Sequence, residues 1–151
     1  MIKALSNKTN GENLHMIRPI QKDIFFLRKK AEPATKKDIA IADDLKDTLL
    51  AHTHECVGMA ANMIGFNKSI IGFFHEDNYM EMFNPRLISK ALPFETEEGC
   101  LSLTGVRKTT RYRMITVCYQ TRNLEEKKQT FMGFSAQIIQ HEIDHLNGII
   151  I

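Results

Sequence analysis

The chain has no tryptophan, only four prolines and only three cysteines in 151 residues. It has no apolar run approaching the roughly 20 residues that a membrane-spanning helix needs. The first residues, MIKALSNKTNGENLH, lack the apolar centre of an export signal. An odd number of cysteines without such a signal argues against a disulfide framework and fits a reducing cytoplasm. The net charge of +2 gives no strong pull toward nucleic acid or an anionic membrane. No internal repeat or low-complexity linker divides the chain. With 43% hydrophobic and 25% charged residues, what remains is one soluble globular domain, long enough to bury a proper core.

The chemistry is concentrated near the end, in Gln140-His141-Glu142-Ile143-Asp144-His145. Two histidines four apart lie one above the other on a helix face, so both imidazoles reach one metal ion. Glu142, next to the first histidine, is placed to handle a proton on water at that metal. Phe134, Ile138, His141 and His145 form one continuous helical face. Ile139, Ile143 and Leu146 form a second, apolar one, which predicts a helix buried on most sides. Gly133 precedes it, and Asn147-Gly148 follows as a C-terminal stop. The alternative is a core helix that carries two histidines for packing alone, but the HExxH spacing favours a metal.

A catalytic metal site needs a third protein ligand and an open position. Glu98-Gly99-Cys100-Leu101-Ser102 supplies a candidate in Cys100, and Gly99 lets backbone approach the ion closely. A thiolate with two imidazoles is a soft set that holds zinc or ferrous iron. EGCLS together with QHEIDHLNG resembles peptide deformylase, the metallo-hydrolase that removes the formyl group from the N-terminal formyl-methionine of new proteins.

The resemblance runs from about Met16 to Ile151. It implies an α+β fold, with antiparallel strands packed around a buried C-terminal metal-binding helix and Cys100 on a loop or strand facing that helix. It implies Cys100, His141 and His145 as ligands of one divalent ion: iron in the cell, with zinc, nickel or cobalt also tolerated. Formyl-methionyl peptides are the implied substrate, including nascent chains at the ribosome. Glu142 is the implied general base, and the backbone N–H of Leu101 an oxyanion donor. Glu98, Ser102 and Asp144 match the family and suit roles in orienting the loop or an imidazole.

The family's first motif, GxGxAAxQ, is matched only in part. Gly58, Ala60 and Ala61 are in place, but Cys56 stands for the first glycine and Met63 for the glutamine. That glutamine is the family's second oxyanion donor, and a thioether has no N–H to give. Losing one such donor costs about 10²–10³ in turnover, so a slow enzyme is expected. Asn62 carries an amide, but neighbours in an extended segment point to opposite faces. Val57, Gly58, Phe134 and Ile138 fall at positions of the family's apolar methionine pocket, and Arg107 matches an arginine near the substrate backbone. Two other readings stay open at this point. One is a deformylase-like metal protein with little activity that binds formyl-peptides or a partner. The other is an amidase for a different acyl group.

The rest of the chain reads as scaffold. Residues 1–15 are polar and turn-rich, an expected flexible leader before a single domain of residues 16–151. The family usually begins near the equivalent of Met16, which makes these residues an extension or Met16 the true start. Residues 16–33 read as irregular or extended. Thr35 and Asp38 form a capping-box pattern for a helix over 36–53, with Ile39, Ala42, Leu45 and Leu49 inward. His52 and His54, two apart, share no helix face and are not expected to be ligands. Residues 70–74 and 79–83 predict a hairpin that Asn84-Pro85 ends, followed by a separate strand over 86–90. Residues 108–113 read as a solvated edge strand in preference to a nucleic-acid patch. Residues 114–120 alternate, with Ile115, Val117 and Tyr119 inward and Cys118 a small core residue. A turn at Arg122-Asn123 leads to an antiparallel partner over 127–132. Six residues follow His145, where many members of that family continue into a further helix.

Overall fold

The computed structural model describes residues 16–151, preceded by a backbone pairing of Ser6–Asn7 (β1) with His15–Met16 (β2). The expected leader otherwise lies outside the described residues. After the short helix α1 (Ile24–Leu27), the capping box forms as its sequence predicts. The Thr35 side chain accepts from the Lys37 N–H, and the Asp38 carboxylate accepts from the Thr35 N–H at 2.8 Å. A 3₁₀ turn over Lys36–Asp38 leads into α2 (Ile39–Leu50). Its residues Ala42, Leu45 and Leu49 are fully buried, each of the larger two stabilising the fold by about 1.5–3 kcal/mol. The helix ends at Leu50, short of the expected 53. His52 packs there with Nδ1 2.8 Å from the Thr48 carbonyl, and His54 is exposed.

One antiparallel sheet follows in the order β3 (Gly58–Ala60), β4 (Ile70–His75), β5 (Asn78–Cys100), β6 (Leu103–Gln120) and β7 (Glu126–Met132). Each strand pairs with its neighbour in sequence, so every connection is local. Ile115, Val117 and Tyr119 face the core as the alternation requires. The final helix, α3 (Gly133–Leu146), packs on β3, β4 and β6. Phe73 and Phe131 meet edge to face beneath it.

Three expectations need correction. Asn84-Pro85 does not end a strand. The ladder shifts register between Phe83 and Arg86, and Asn84 sits at φ 51°. Its side chain exchanges two hydrogen bonds with the Ala34 backbone and donates to Gln120, so a bulge carries the chain past the proline. Cys118 is half-buried on the face opposite Val117 and Tyr119, paired with Arg86 and Lys128, and is not a core residue. Residues 108–113 are not wholly solvated, because Arg111 is only 4% exposed. The long β5–β6 hairpin has its tip at residues 100–103, with a register irregularity between Gly99 and Cys100. This brings Cys100 to α3.

Candidate metal centre

Helix α3 is fixed at its end and along its side. At the C-terminus the Gly148 N–H donates to the His145 carbonyl at 3.1 Å and the Ile149 N–H to the Asp144 carbonyl at 3.0 Å. Gly148 takes φ 71°, the left-handed conformation this cap needs. Along the side, the buried Gln140 donates to the carbonyls of Tyr112 and Ala136 and accepts the Tyr112 N–H at 2.9 Å. These bonds set the helix's rotation against β6, which turns His141 and His145 toward Cys100.

The three side chains converge. Cys100 Sγ lies 3.3 Å from His145 Nε2, which lies 3.1 Å from His141 Nε2. All three ligand atoms fall within 4.8 Å of one another. His141 donates from Nδ1 to Glu98 Oε1 at 2.9 Å, which directs its Nε2 toward His145 and Cys100, with a proton to shed if that nitrogen binds a cation. Two imidazole nitrogens and a sulfur gathered this closely suit a cation better than each other. The donor set fits one divalent transition-metal ion.

Behind His141 stands a buried charge network. Arg111 donates from Nε and Nη2 to the Glu98 carboxylate, at 2.7 Å for the shorter contact, and from Nη1 to Asp144 Oδ2 at 2.6 Å. Gln137 Nε2 donates to Glu98 Oε2 at 2.9 Å. Burial works against charge on Glu98, but the hydrogen bonds from His141, Arg111 and Gln137 outweigh it and hold the carboxyl down at about 2. Burial also opposes charge on His141, yet its bonds to Cys100 and Glu98 raise it to about 10. His145, buried and next to a charged His141, drops to about 3. Glu142 is 2% exposed, and burial pushes its carboxyl up to about 7 although His141 pulls it back.

A cavity of about 550 Å³ opens over these groups. Cys100, Leu101, His141 and Glu142 line it, and so do Met63 and the expected wall residues Val57, Gly58 and Ile138. Glu142 Oε1 has no protein partner. Phe134, though 63% exposed, borders the cavity as well. Arg107 does not line it, and Ser102 is buried beside it with Oγ unpartnered. The β3 backbone crosses α3 very closely. A Cβ on Gly58 would stand 2.6 Å from Ile138 Cγ2 and 3.3 Å from Glu142 Cγ.

The segment after β3 is not extended as expected. Residues Ala61–Ile64 curl into a 3₁₀ turn in which Asn62 and Met63 are both buried. Asn62 donates its amide to the His145 carbonyl at 2.8 Å and does not line the cavity, so it supplies no substitute for the missing glutamine. The Cys56 thiol lies 2.7 Å from the Gly58 carbonyl, to which it donates. Burial pushes Cys56 up to about 12, which keeps it a neutral thiol. Arg111 and Gln137 escaped the sequence reading. Arg111 does carry a signal, since it shares the parity of Ile115, Val117 and Tyr119, and a charge on a core face demands a partner.

Comparisons with known proteins point the same way. The family model described as polypeptide deformylase matches residues 15–151. A peptide deformylase of Clostridium beijerinckii is 57% identical over 136 residues, covering 90% of this chain and 100% of that protein. One of Halothermothrix orenii is 38% identical over 82% of this chain and 83% of its own length. Among solved structures, a class I type b peptide deformylase of Acinetobacter baumannii with Met-Ala-Ser bound aligns with a TM-score of 0.80 at 30% identity, over 89% of this chain and 95% of that one. The peptide deformylase of Thermotoga maritima aligns with a TM-score of 0.81 at 28% identity, over 90% and 95%.

Proposed function

The chain belongs to the polypeptide deformylase family, and on that premise we propose that it hydrolyses the formamide of N-formyl-methionyl peptides in the cavity above Cys100, His141, His145 and Glu142. The observation that carries this reading is the convergence of one thiol and two imidazole nitrogens beside a buried, unpartnered carboxylate.

Cys100, His141 and His145 would hold one divalent ion, iron in the cell, with zinc, nickel or cobalt able to replace it. Such an ion, when bound, polarises a carbonyl and makes water acidic enough to attack it near neutral pH. The chain's own residues supply the rest. Glu142 takes up the proton of the attacking water and returns it to the leaving amine. Burial raises its carboxyl, which suits a group that accepts a proton from water and gives it up again within one turnover. Glu98, low at about 2, stays ionised and keeps the proton of His141 on Nδ1.

The Leu101 N–H serves as an oxyanion donor next to Cys100. Met63 contributes apolar wall and no donor, which makes the enzyme slower than one with an amide there. Val57, Met63 and Ile138 take the methionine side chain out of water. The Met-Ala-Ser held by the Acinetobacter protein has the sequence of a deformylated N-terminus and supports the peptide as the substrate class. The same reading places the protein in the cytoplasm, working on nascent chains. No described helix is long and apolar enough to cross a membrane.

The test is formate release from formyl-Met-Ala-Ser by metal-reconstituted protein, with air excluded because thiolate and ferrous iron both oxidise. Turnover that a chelator abolishes is the expected result. Metal-loaded protein that binds the peptide without releasing formate would overturn the reading in favour of a binding protein.

A further inference from the structure

Glu98 is gripped from two sides, and only one of them faces the cavity. Arg111 covers the carboxylate from within the fold, with Nε at 3.1 Å from both oxygens and Nη2 at 2.7 Å from Oε1. Gln137 reaches Oε2 at 2.9 Å from the cavity wall, one helical turn before His141. The wall that α3 presents was expected to be apolar, with Phe134 and Ile138. Gln137 is half-buried among them, and its amide is partnered by Glu98. Ionised Glu98 can only accept, so Gln137 must turn its nitrogen inward, and its orientation is fixed.

We propose that Gln137 is a positioning residue of the hydrolytic site, restraining Glu98 from the cavity side so that His141 Nε2 stays aimed at Cys100 and His145. Oε1 of Glu98 serves His141 and Arg111 together. Without Gln137, Oε2 is left to Arg111 Nε, so the carboxylate can swing toward Arg111 and the bond to His141 weakens. The same side chain therefore touches the substrate cavity and governs a metal ligand. The catalytic part of this inference rests on the hydrolase reading, whereas the metal-holding part does not.

Gln137→Met keeps length and wall while removing the donor. Zinc affinity, measured by competition with a chromogenic chelator, is expected to weaken about three- to tenfold. That is less than the roughly 10–100-fold typical of losing a direct partner of a ligand, because Gln137 acts one hydrogen bond further out. The metal-free protein should melt within a degree or two of wild type. On formyl-Met-Ala-Ser, kcat should fall severalfold with KM unchanged.

A second variant tests the route. Glu98→Ala removes the acceptor that Gln137 uses, while Arg111 keeps its bond to Asp144. In that background Gln137→Met has no bond to lose and should change zinc affinity less than twofold. Zinc affinity unchanged in the single variant would overturn the proposal. So would an equal loss in both backgrounds, or a lowered metal-free melting point with no change in affinity. If neither protein releases formate, the hydrolase reading fails while the zinc measurements still decide the role of Gln137.

Discussion

Helix α3 and the segment from β3 through the 3₁₀ turn face each other across the cavity and are held by opposite means. The α3 side is tied by directional bonds: Gln140 to the Tyr112 backbone, Arg111 to Glu98 and Asp144, and Glu98 to His141. The facing side is held mostly by packing, with Met59, Ala60, Ala61 and Met63 buried and Gly58 pressed on Ile138 and Glu142. Its polar tie to α3 is Asn62 to the His145 carbonyl.

The difference explains where the family pattern holds and where it has moved. A network of charges fails if one member changes, since the rest are left buried and unpaired. A packed wall tolerates a change that conserves volume, and glutamine to methionine is one. On the proposed reading, Met63 preserves the wall and forfeits a donor, so the expected cost falls on catalysis and not on folding.

The largest effect that can test this contrast lies on the α3 side. Glu142→Gln is nearly isosteric, so metal content should persist while kcat falls about 10²–10⁴-fold. Metal loss, with full activity in whatever protein stays loaded, would show that Glu142 is a ligand and not the base. Next comes the opposite wall. Met63→Gln restores an N–H to the cavity and should raise kcat on formyl-methionyl peptides about tenfold to a few hundredfold. The gain should appear more in kcat than in KM, because the donor binds the transition state more strongly. An unchanged or lower rate would mean that another group already fills that role or that the pocket serves a different substrate.

The smallest effect concerns packing itself. Gly58→Ala puts a methyl into contact with Ile138 and Glu142 and should cost about 1–3 kcal/mol of stability in chemical denaturation. A neutral outcome would show that the two walls are less tightly opposed than the structure has them.

Features set by local rules were legible in the sequence. The capping box at Thr35, the alternation of Ile115, Val117 and Tyr119, and the stop at Asn147-Gly148 all depend on neighbours within a few residues. The three candidate ligands, which the fold brings together, were legible because their spacing and glycine context resemble a known pattern. Features that depend on distant partners were not. Asn84-Pro85 reads as a break unless Ala34, fifty residues away, is known to accept and return its hydrogen bonds. Arg111 reads as a solvated charge until the β5–β6 hairpin lays Glu98 beside it and α3 brings Asp144. Gln137 carries no local signal, and only the fold shows it reaching Glu98.

The most direct test of the central claim is metal stoichiometry under anaerobic titration, comparing wild type with Cys100→Ala. Three converging ligands predict that wild type binds a single ion tightly, and that removing the thiolate abolishes stoichiometric binding together with formate release. A Cys100→Ala protein that keeps its full metal content and activity would contradict the account.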